Sequence, residues 1–247
     1  MARSCAIIID MNTNHQQAFQ QLVARAQACR RCPRMEGRVR VLGPGNGSLD
    51  AQILFIAEAP GRLGADRSGI PLTGDQSGRN FDALLQQAGL ARASIFITNA
   101  VLCNPRDERG NNARPTSHEI EHCSDHLRET IAILQPRYVV TLGQIALQAL
   151  QHIAHHEVTL AQHVGLPQQW NGRWLIALYH PGPRARIHRP LAMQIEDFRR
   201  LETFIRDDQA HTGSTAYSGR MPLKTIQGCI SETSRPACTD GSASDSV

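Results

Sequence analysis

The chain has 247 residues, 41% hydrophobic and 19% charged, with a formal net charge of +4 and a pI near 8.8. That is enough for one well-buried domain with a tail, or for two small domains, and with no run of about 18 apolar residues a membrane-spanning helix is not expected. The short apolar patch Ala6 to Ile9 meets Asp10 at once, too short a run for a signal peptide, so the expected compartment is the reducing cytoplasm.

Residues 1–12 read as a frayed N-terminus, and helical spacing begins at Gln16 and runs to Cys29. Gln52 to Ala57 is a short apolar run, as expected of a buried strand, and Asn80 to Ala88 has helical spacing. Ile95 to Val101 is a second strand. Pro115, Thr116 and Glu119 form a capping-box pattern that opens a helix ending before Pro136. Tyr138 to Leu142 is a third strand, and Gly143 starts a helix to about Leu150. Trp174 to Tyr179 is a fourth strand, and Leu191 to Ile205 a last amphipathic helix. From residue 206 Gly, Ser, Thr and Asp dominate and apolar periodicity vanishes, so 206–247 reads as a disordered tail, with Cys229 and Cys238 as bystanders. The domain is therefore 13–205. Strand–helix alternation predicts an α/β fold with a parallel sheet covered on both faces.

Open parallel sheets bind ligands beyond the carboxyl ends of their strands. Glu58-Ala59-Pro60-Gly61 follows the first strand, Asn99 lies towards the end of the second, and His180-Pro181-Gly182 follows the fourth. Any one of these is adequately read as a solvated loop residue, but a carboxylate, a carboxamide and an imidazole at one edge point to a site. The Gly-rich stretch from Gly61 to Gly78 lacks the Gly-Lys-Ser/Thr of a phosphate-binding Walker loop and the spacing of a dinucleotide fingerprint. Ser77-Gly78 leads into a helix N-terminus, a place that favours an anion. Of the 26 basic residues Lys224 is the only lysine. Arginine suits bidentate phosphate contacts. A GC-rich coding sequence produces the same bias, so the composition permits nucleic acid without requiring it.

Cys29 and Cys32 form a close pair, while Cys103 lies just past the second strand and Cys123 in the capped helix. Four thiolates can hold an iron–sulfur cluster or a zinc ion. A zinc ribbon would show a second close pair, which is missing here. A redox C-x-x-C motif is a further reading of Cys29 and Cys32, and Cys5 is a weak candidate ligand.

Together these segments resemble the uracil-DNA glycosylase superfamily, specifically its cluster-bearing bacterial and archaeal families 4 and 5, over roughly residues 20 to 205. The resemblance rests on the Cys29/Cys32 pair, the Gly45-Asn46-Gly47 turn, and Glu58-Ala59-Pro60-Gly61, which is similar to the family 4 first motif. It rests also on Arg67 through Gly78, nearer to family 5, on Thr98-Asn99 with Cys103 and Cys123, and on His180-Pro181. It implies a three-layer α/β/α fold with a central four-stranded parallel sheet. It also implies a 4Fe–4S cluster on Cys29, Cys32, Cys103 and Cys123 (zinc as the alternative), serving as a staple near the DNA surface. The partner it implies is DNA bearing uracil or another deaminated base, handled by a monomer associated with the nucleoid.

By the same resemblance Asn99 reads the base edge, His180 stabilises charge on the leaving base, and Glu58 activates water, with Asp75 the second candidate. Asp66, a third, reads better as a loop salt bridge. Pro60, Gly61 and Leu72 line the base pocket. Arg184, Arg186, His188 and Arg189 grip or enter DNA, or else form a solvated loop. Two positions depart from the family pattern: Leu72 stands where an aromatic usually stacks on uracil, and Gly182 where serine usually follows His-Pro. These departures keep open a protein of the same fold that captures damaged bases without turnover. A zinc or iron–sulfur redox protein is a third reading, which would need no Asn99/His180 pocket. Arg186-Ile187-His188 resembles the loop of a branch that bonds covalently to DNA through its histidine, but in that branch the loop lies between the second and third strands, so the role does not carry over.

Overall fold

The computed structural model describes the backbone of residues 2–213 and the side chains of residues 14–212. The side chain of Cys5 and the segment 214–247, with Cys229 and Cys238, lie outside these described residues. Five strands form one sheet in the order β2-β1-β3-β5-β4. β1 is Ile53–Ala57, β2 Ile95–Asn99, β3 Tyr138–Leu142, β4 Gln168–Trp170 and β5 Arg173–Leu178. β2, β1, β3 and β5 run parallel, whereas β4 pairs antiparallel with β5. The expected all-parallel, four-stranded sheet is thus corrected to a mixed sheet of five. The added strand is a tight hairpin: Asn171 and Gly172 have φ of 47° and 73°, the left-handed pair that closes a two-residue turn. The Asn-Gly dipeptide was the available sign, overlooked because β4 is only three residues long.

The four parallel strands are apolar on both faces, as burial on both sides requires. Alternation splits their side chains between two cores. Leu54, Ile56, Phe96, Val139, Leu175 and Ala177 pack beneath α1 (Ala2–Ala28), α4 (Ser117–Leu134) and α5 (Gln144–Gln151). Phe55, Ile95, Ile97, Val140, Ile176 and Leu178 pack beneath α3 (Gln76–Gln87) and α7 (Leu191–Gly213). Phe55, Phe81 and Phe198 lock that second core, with ring centroids 5.2 to 6.1 Å apart. Two short helices, α2 (Ala65–Ser68) and α6 (Leu160–His163), sit in loops.

α4 starts as its capping box requires: Thr116 Oγ1 accepts from the Glu119 N–H at 3.2 Å, and Glu119 Oε2 from the Thr116 N–H at 2.8 Å. α3 begins at Gln76, earlier than its apolar spacing suggests, because Asp75 caps it by accepting from the Gly78 N–H at 2.9 Å. α1 is helical from Ala2, where a frayed segment was expected. α7 continues to Gly213, past the expected boundary at 205. Asp208, assigned to the tail by composition, accepts from Tyr138 Oη at 2.7 Å and from Arg137 Nε at 2.6 Å. A polar partner waiting on β3 thus extends a helix that sequence periodicity alone would end.

Candidate active site

The C-terminal ends of β2, β1, β3 and β5 line one rim of the sheet. Asn99 lies opposite Ala57 in the β1–β2 register, next to Glu58. It shares the parity of Ile95 and Ile97, and so faces the α3 side. His180 continues the parity of Ile176 and Leu178 beyond β5 and faces the same side, beside α3. β1 and β3 separate the two strands, so their backbones stand about 14 Å apart. Gly143, at the end of β3, opens the floor with φ of 98°; a Cβ there would come within 3.4 Å of His180 Cβ.

Asn99 is 2% exposed and its Nδ2 has no hydrogen-bond partner among the described residues. An orphaned buried amide costs about 1–3 kcal/mol, and here it leaves a donor available to a ligand at the rim. His180 Nδ1 accepts from the Gly182 N–H at 2.9 Å. That bond needs a bare Nδ1, so the proton of the neutral ring is on Nε2. Burial, partly opposed by Asp75, lowers the His180 pKa to about 4. The ring is therefore neutral at pH 7 and presents one N–H. Gly182 has φ of −70°, which any residue could adopt, but a Cβ there would come 2.8 Å from His180 Nδ1 and 3.2 Å from Ser77 Oγ. Space, not backbone strain, demands the glycine. Asn80 anchors the same turn, its Nδ2 donating to the Pro181 carbonyl at 2.7 Å.

Glu58 is half-buried, and burial raises its pKa although Arg114 and Arg184 act against that. No side-chain hydrogen bond ties it down among the described residues, which leaves it available to a water. Asp75 is otherwise engaged. One oxygen caps α3, and the other packs against Gly61 and Gly64, where any Cβ would collide with it. Asp66 pairs with Arg106 at 2.6 Å, the loop salt bridge expected of it. Leu72 is 8% exposed and joins the apolar cluster under α3, with φ of 47°. The pocket wall at that position is aliphatic and conformationally strained.

The loops that carry these groups are braced together. Asn104 Nδ2 donates to the Pro60 carbonyl at 2.6 Å and to Asn112 Oδ1 at 3.0 Å, and Asn112 Oδ1 also accepts from the Arg62 N–H at 2.9 Å. After β5, a 3-10 turn covers Pro183–Ile187. Arg184 and His188 are exposed there and Arg186 is half-buried. Arg189 is corrected: it forms a two-pronged salt bridge with the buried Asp197, at 2.8 and 2.5 Å, and so holds the turn to α7 instead of facing outward. Ile187, 81% exposed at the tip, was missed because an aliphatic residue between arginines gives no polar signal.

The four cysteines are all free thiols. Cys29 follows α1, Cys32 precedes the turn Pro33–Met35, Cys103 follows β2, and Cys123 sits on α4. Burial pushes Cys103 up to about 11 and Cys123 to about 12, and each is raised further by the charges of Cys29 and Cys32. Burial also acts to raise Cys29, but hydrogen bonds from Arg31 and the charges of Arg31 and Arg40 outweigh it. Cys32 Sγ lies 3.8 Å from His122 Nδ1. Among the described residues no three His, Cys, Asp or Glu side chains converge tightly enough to hold a single metal ion. The four thiols are linked electrostatically, each of Cys103 and Cys123 feeling other cysteines.

Residues 44–202 match the model of the uracil DNA glycosylase superfamily. The chain is 32% identical over 192 residues to the type-4 uracil-DNA glycosylase of Archaeoglobus fulgidus, covering 75% of this chain and 92% of the relative. It is 31% identical to the type-4 enzyme of Thermotoga maritima, covering 74% and 93%, and 33% identical to the type-5 enzyme of Thermus thermophilus, covering 62% and 82%. With a family match across most of its length and relatives aligned over nearly their whole extent, the chain belongs to the uracil-DNA glycosylase superfamily.

Proposed function

We propose that the protein excises uracil, or a closely related deaminated base, from DNA by hydrolysing its N-glycosidic bond. The observation that carries this reading is the pairing, on one face of one rim, of an unpartnered Asn99 amide with a neutral His180 whose proton sits on Nε2. The target nucleotide is extruded into the gap between them. Asn99 donates to a base carbonyl and accepts from the ring N–H, a match to uracil's edge. As the C1′–N1 bond breaks, its electron pair moves onto the base, and His180 Nε2–H donates to the oxygen where charge collects. Glu58 holds a water, whose oxygen bonds to C1′ while its proton passes to the carboxylate. Leu72 supplies apolar contact without ring stacking, and Ile187 enters the space the base leaves. Arg184, with Arg186 and His188 beside it, meets the backbone.

The same reading assigns Cys29, Cys32, Cys103 and Cys123 to a 4Fe–4S cluster. What supports it is the donor set, four thiols from three parts of the fold whose charges act on one another. The cluster would supply structural cross-linking of α1, the loop after β2, and α4, with no part in bond cleavage. The enzyme would act as a monomer on nucleoid DNA in the cytoplasm, and no helix among the described residues is long and apolar enough to cross a membrane.

Incubation with a uracil-bearing oligonucleotide tests the activity. Abasic sites in excess of enzyme are expected. A heat-stable protein–DNA adduct at one per protein would replace turnover with capture, and intact DNA would remove the reading. Purified protein should be brown and absorb at about 400 nm. Colourless protein with one zinc would remove the cluster.

A further inference from the structure

Three amides stand in line between the surface of α3 and His180. Gln76, exposed at the start of α3, accepts from Arg79 Nη2 at 2.9 Å and donates from Nε2 to Asn80 Oδ1 at 2.8 Å. Asn80, 7% exposed, donates from Nδ2 to the Pro181 carbonyl at 2.7 Å. The third amide is the Pro181–Gly182 peptide itself, whose carbonyl takes the Asn80 bond and whose N–H donates to His180 Nδ1 at 2.9 Å. Each amide accepts at its oxygen and donates from its nitrogen, so the bonds all run one way, toward the imidazole. A carbonyl cannot donate, so the Pro181 oxygen settles which end of Asn80 faces it, and Asn80 Oδ1 does the same for Gln76.

The peptide is trans and planar, so its carbonyl and N–H point in opposite directions and turn together. Pro181 and Gly182 are buried, and among the described residues Asn80 is the hydrogen-bond partner of that carbonyl. Without Asn80 the carbonyl would have to swing toward water, which pulls the Gly182 N–H away from Nδ1. The neutral ring would then be free to carry its proton on either nitrogen. α3 is a firm base for this tether, since Phe81, next to Asn80, packs against both Phe55 and Phe198.

We propose that Asn80 is a positioning residue that holds His180 as its Nε2–H tautomer through the Pro181–Gly182 peptide, with Gln76 setting the direction of the Asn80 amide. The effect on rate rests on the glycosylase reading; the effect on the proton does not. Polarisation along aligned amides strengthens each bond in the row. The last of them ends on Nδ1 and leaves Nε2–H as the donor to the departing base.

Two readouts on the full chain test this. The first is nitrogen-15 NMR of protein labelled at its imidazoles, with the His180 signals identified by their loss in His180→Ala. Wild-type His180 should show a bare Nδ1 and a protonated Nε2, and in Asn80→Ala both shifts should move toward the mean of the two tautomers. Asn80→Asp, of the same size but with no proton to donate at neutral pH, should match Asn80→Ala. The second readout is single-turnover release of uracil from an oligonucleotide, below the melting temperature of each variant. Asn80→Ala should slow release about tenfold and Gln76→Ala about threefold, with the half-saturating enzyme concentration unchanged. In a His180→Ala background Asn80→Ala should change release by less than about twofold, because its route to the base is gone. An equal loss in both backgrounds overturns the proposal, and so do wild-type shifts in Asn80→Ala or Asn80→Asp. Should neither of those fold, the exposed Gln76→Ala decides: wild-type shifts and rate there overturn the proposal. Wild-type release with unmoved shifts in every variant sinks the relay and spares the glycosylase, whereas moved shifts in a protein that releases no base do the reverse.

Discussion

The two ends of the parallel strands treat polar groups in opposite ways. At the N-terminal end of β3, Tyr138, Arg137 and Asp208 satisfy one another and fasten α7 to the sheet. At the C-terminal rim, among the described residues, Asn99 keeps an unpartnered amide, Glu58 is half-buried with no hydrogen-bonded partner, and Arg114 and Arg184 stand without carboxylates, although Arg106 there pairs with Asp66. Paired groups stabilise the fold; unpaired ones cost stability and are useful only when a ligand completes them. Damage to the first end should therefore register in melting, and damage to the second in rate.

The largest effect is expected from Glu58→Gln, which should slow base release by about 10²–10⁴-fold. In the wild type, Glu58 is active as the carboxylate, so the rate should fall as pH drops through its raised pKa. His180 stays neutral down to about 4 and should not set that limb. A pH–rate profile flat to pH 4 would contradict the assignment. His180→Ala and Asn99→Ala should each cost about 10²–10³-fold in single-turnover release. Asn99→Ala should not lower the melting temperature, and a large loss there would mean that its amide is structural after all, whereas His180→Ala also strips the Gly182 N–H of its acceptor and should lower it.

At the other end, Asp208→Ala should remove about 1.5–3 kcal/mol in urea unfolding while leaving release by the folded enzyme intact. His126 sharpens the contrast, since it is an orphan outside the rim: it is buried on α4 with both ring nitrogens unpartnered among the described residues. Burial lowers its pKa, so the unfolded chain binds the proton more readily and stability should decline as pH falls below about 6.5. His126→Leu should flatten that decline and add about 1 kcal/mol; an unchanged acid limb would mean that water already serves the ring. The smallest effect, a few-fold rise in KM on duplex and less on single strands, is expected from Ile187→Ala, whose side chain touches little of its own protein.

Much of this was legible along the chain because strong local patterns carry it. The apolar runs of β1, β2, β3 and β5, the Thr116–Glu119 capping box and the polar residues after each strand are properties of short segments, and the structure keeps them. The reach of α7 beyond Ile205 was not legible, because its anchor is on a strand some seventy positions earlier. The engagement of Arg189 with Asp197 was equally hidden, since an arginine in a basic loop reads the same whether it faces solvent or a buried acid.

Sequence by itself determined the α/β class, the parallel order of chemistry along one edge and the candidate residues Glu58, Asn99 and His180, since strand period and loop position are local consequences of residue type. Only the tertiary structure decided that β4 closes the sheet, that Asp75 caps α3 while Glu58 stays free, and that His180 carries its proton on Nε2. It alone separated clamped arginines from open ones. The physical reason is that a hydrogen bond or an ion pair is decided by which two groups meet in space, and residue order leaves that choice open until the cores have packed.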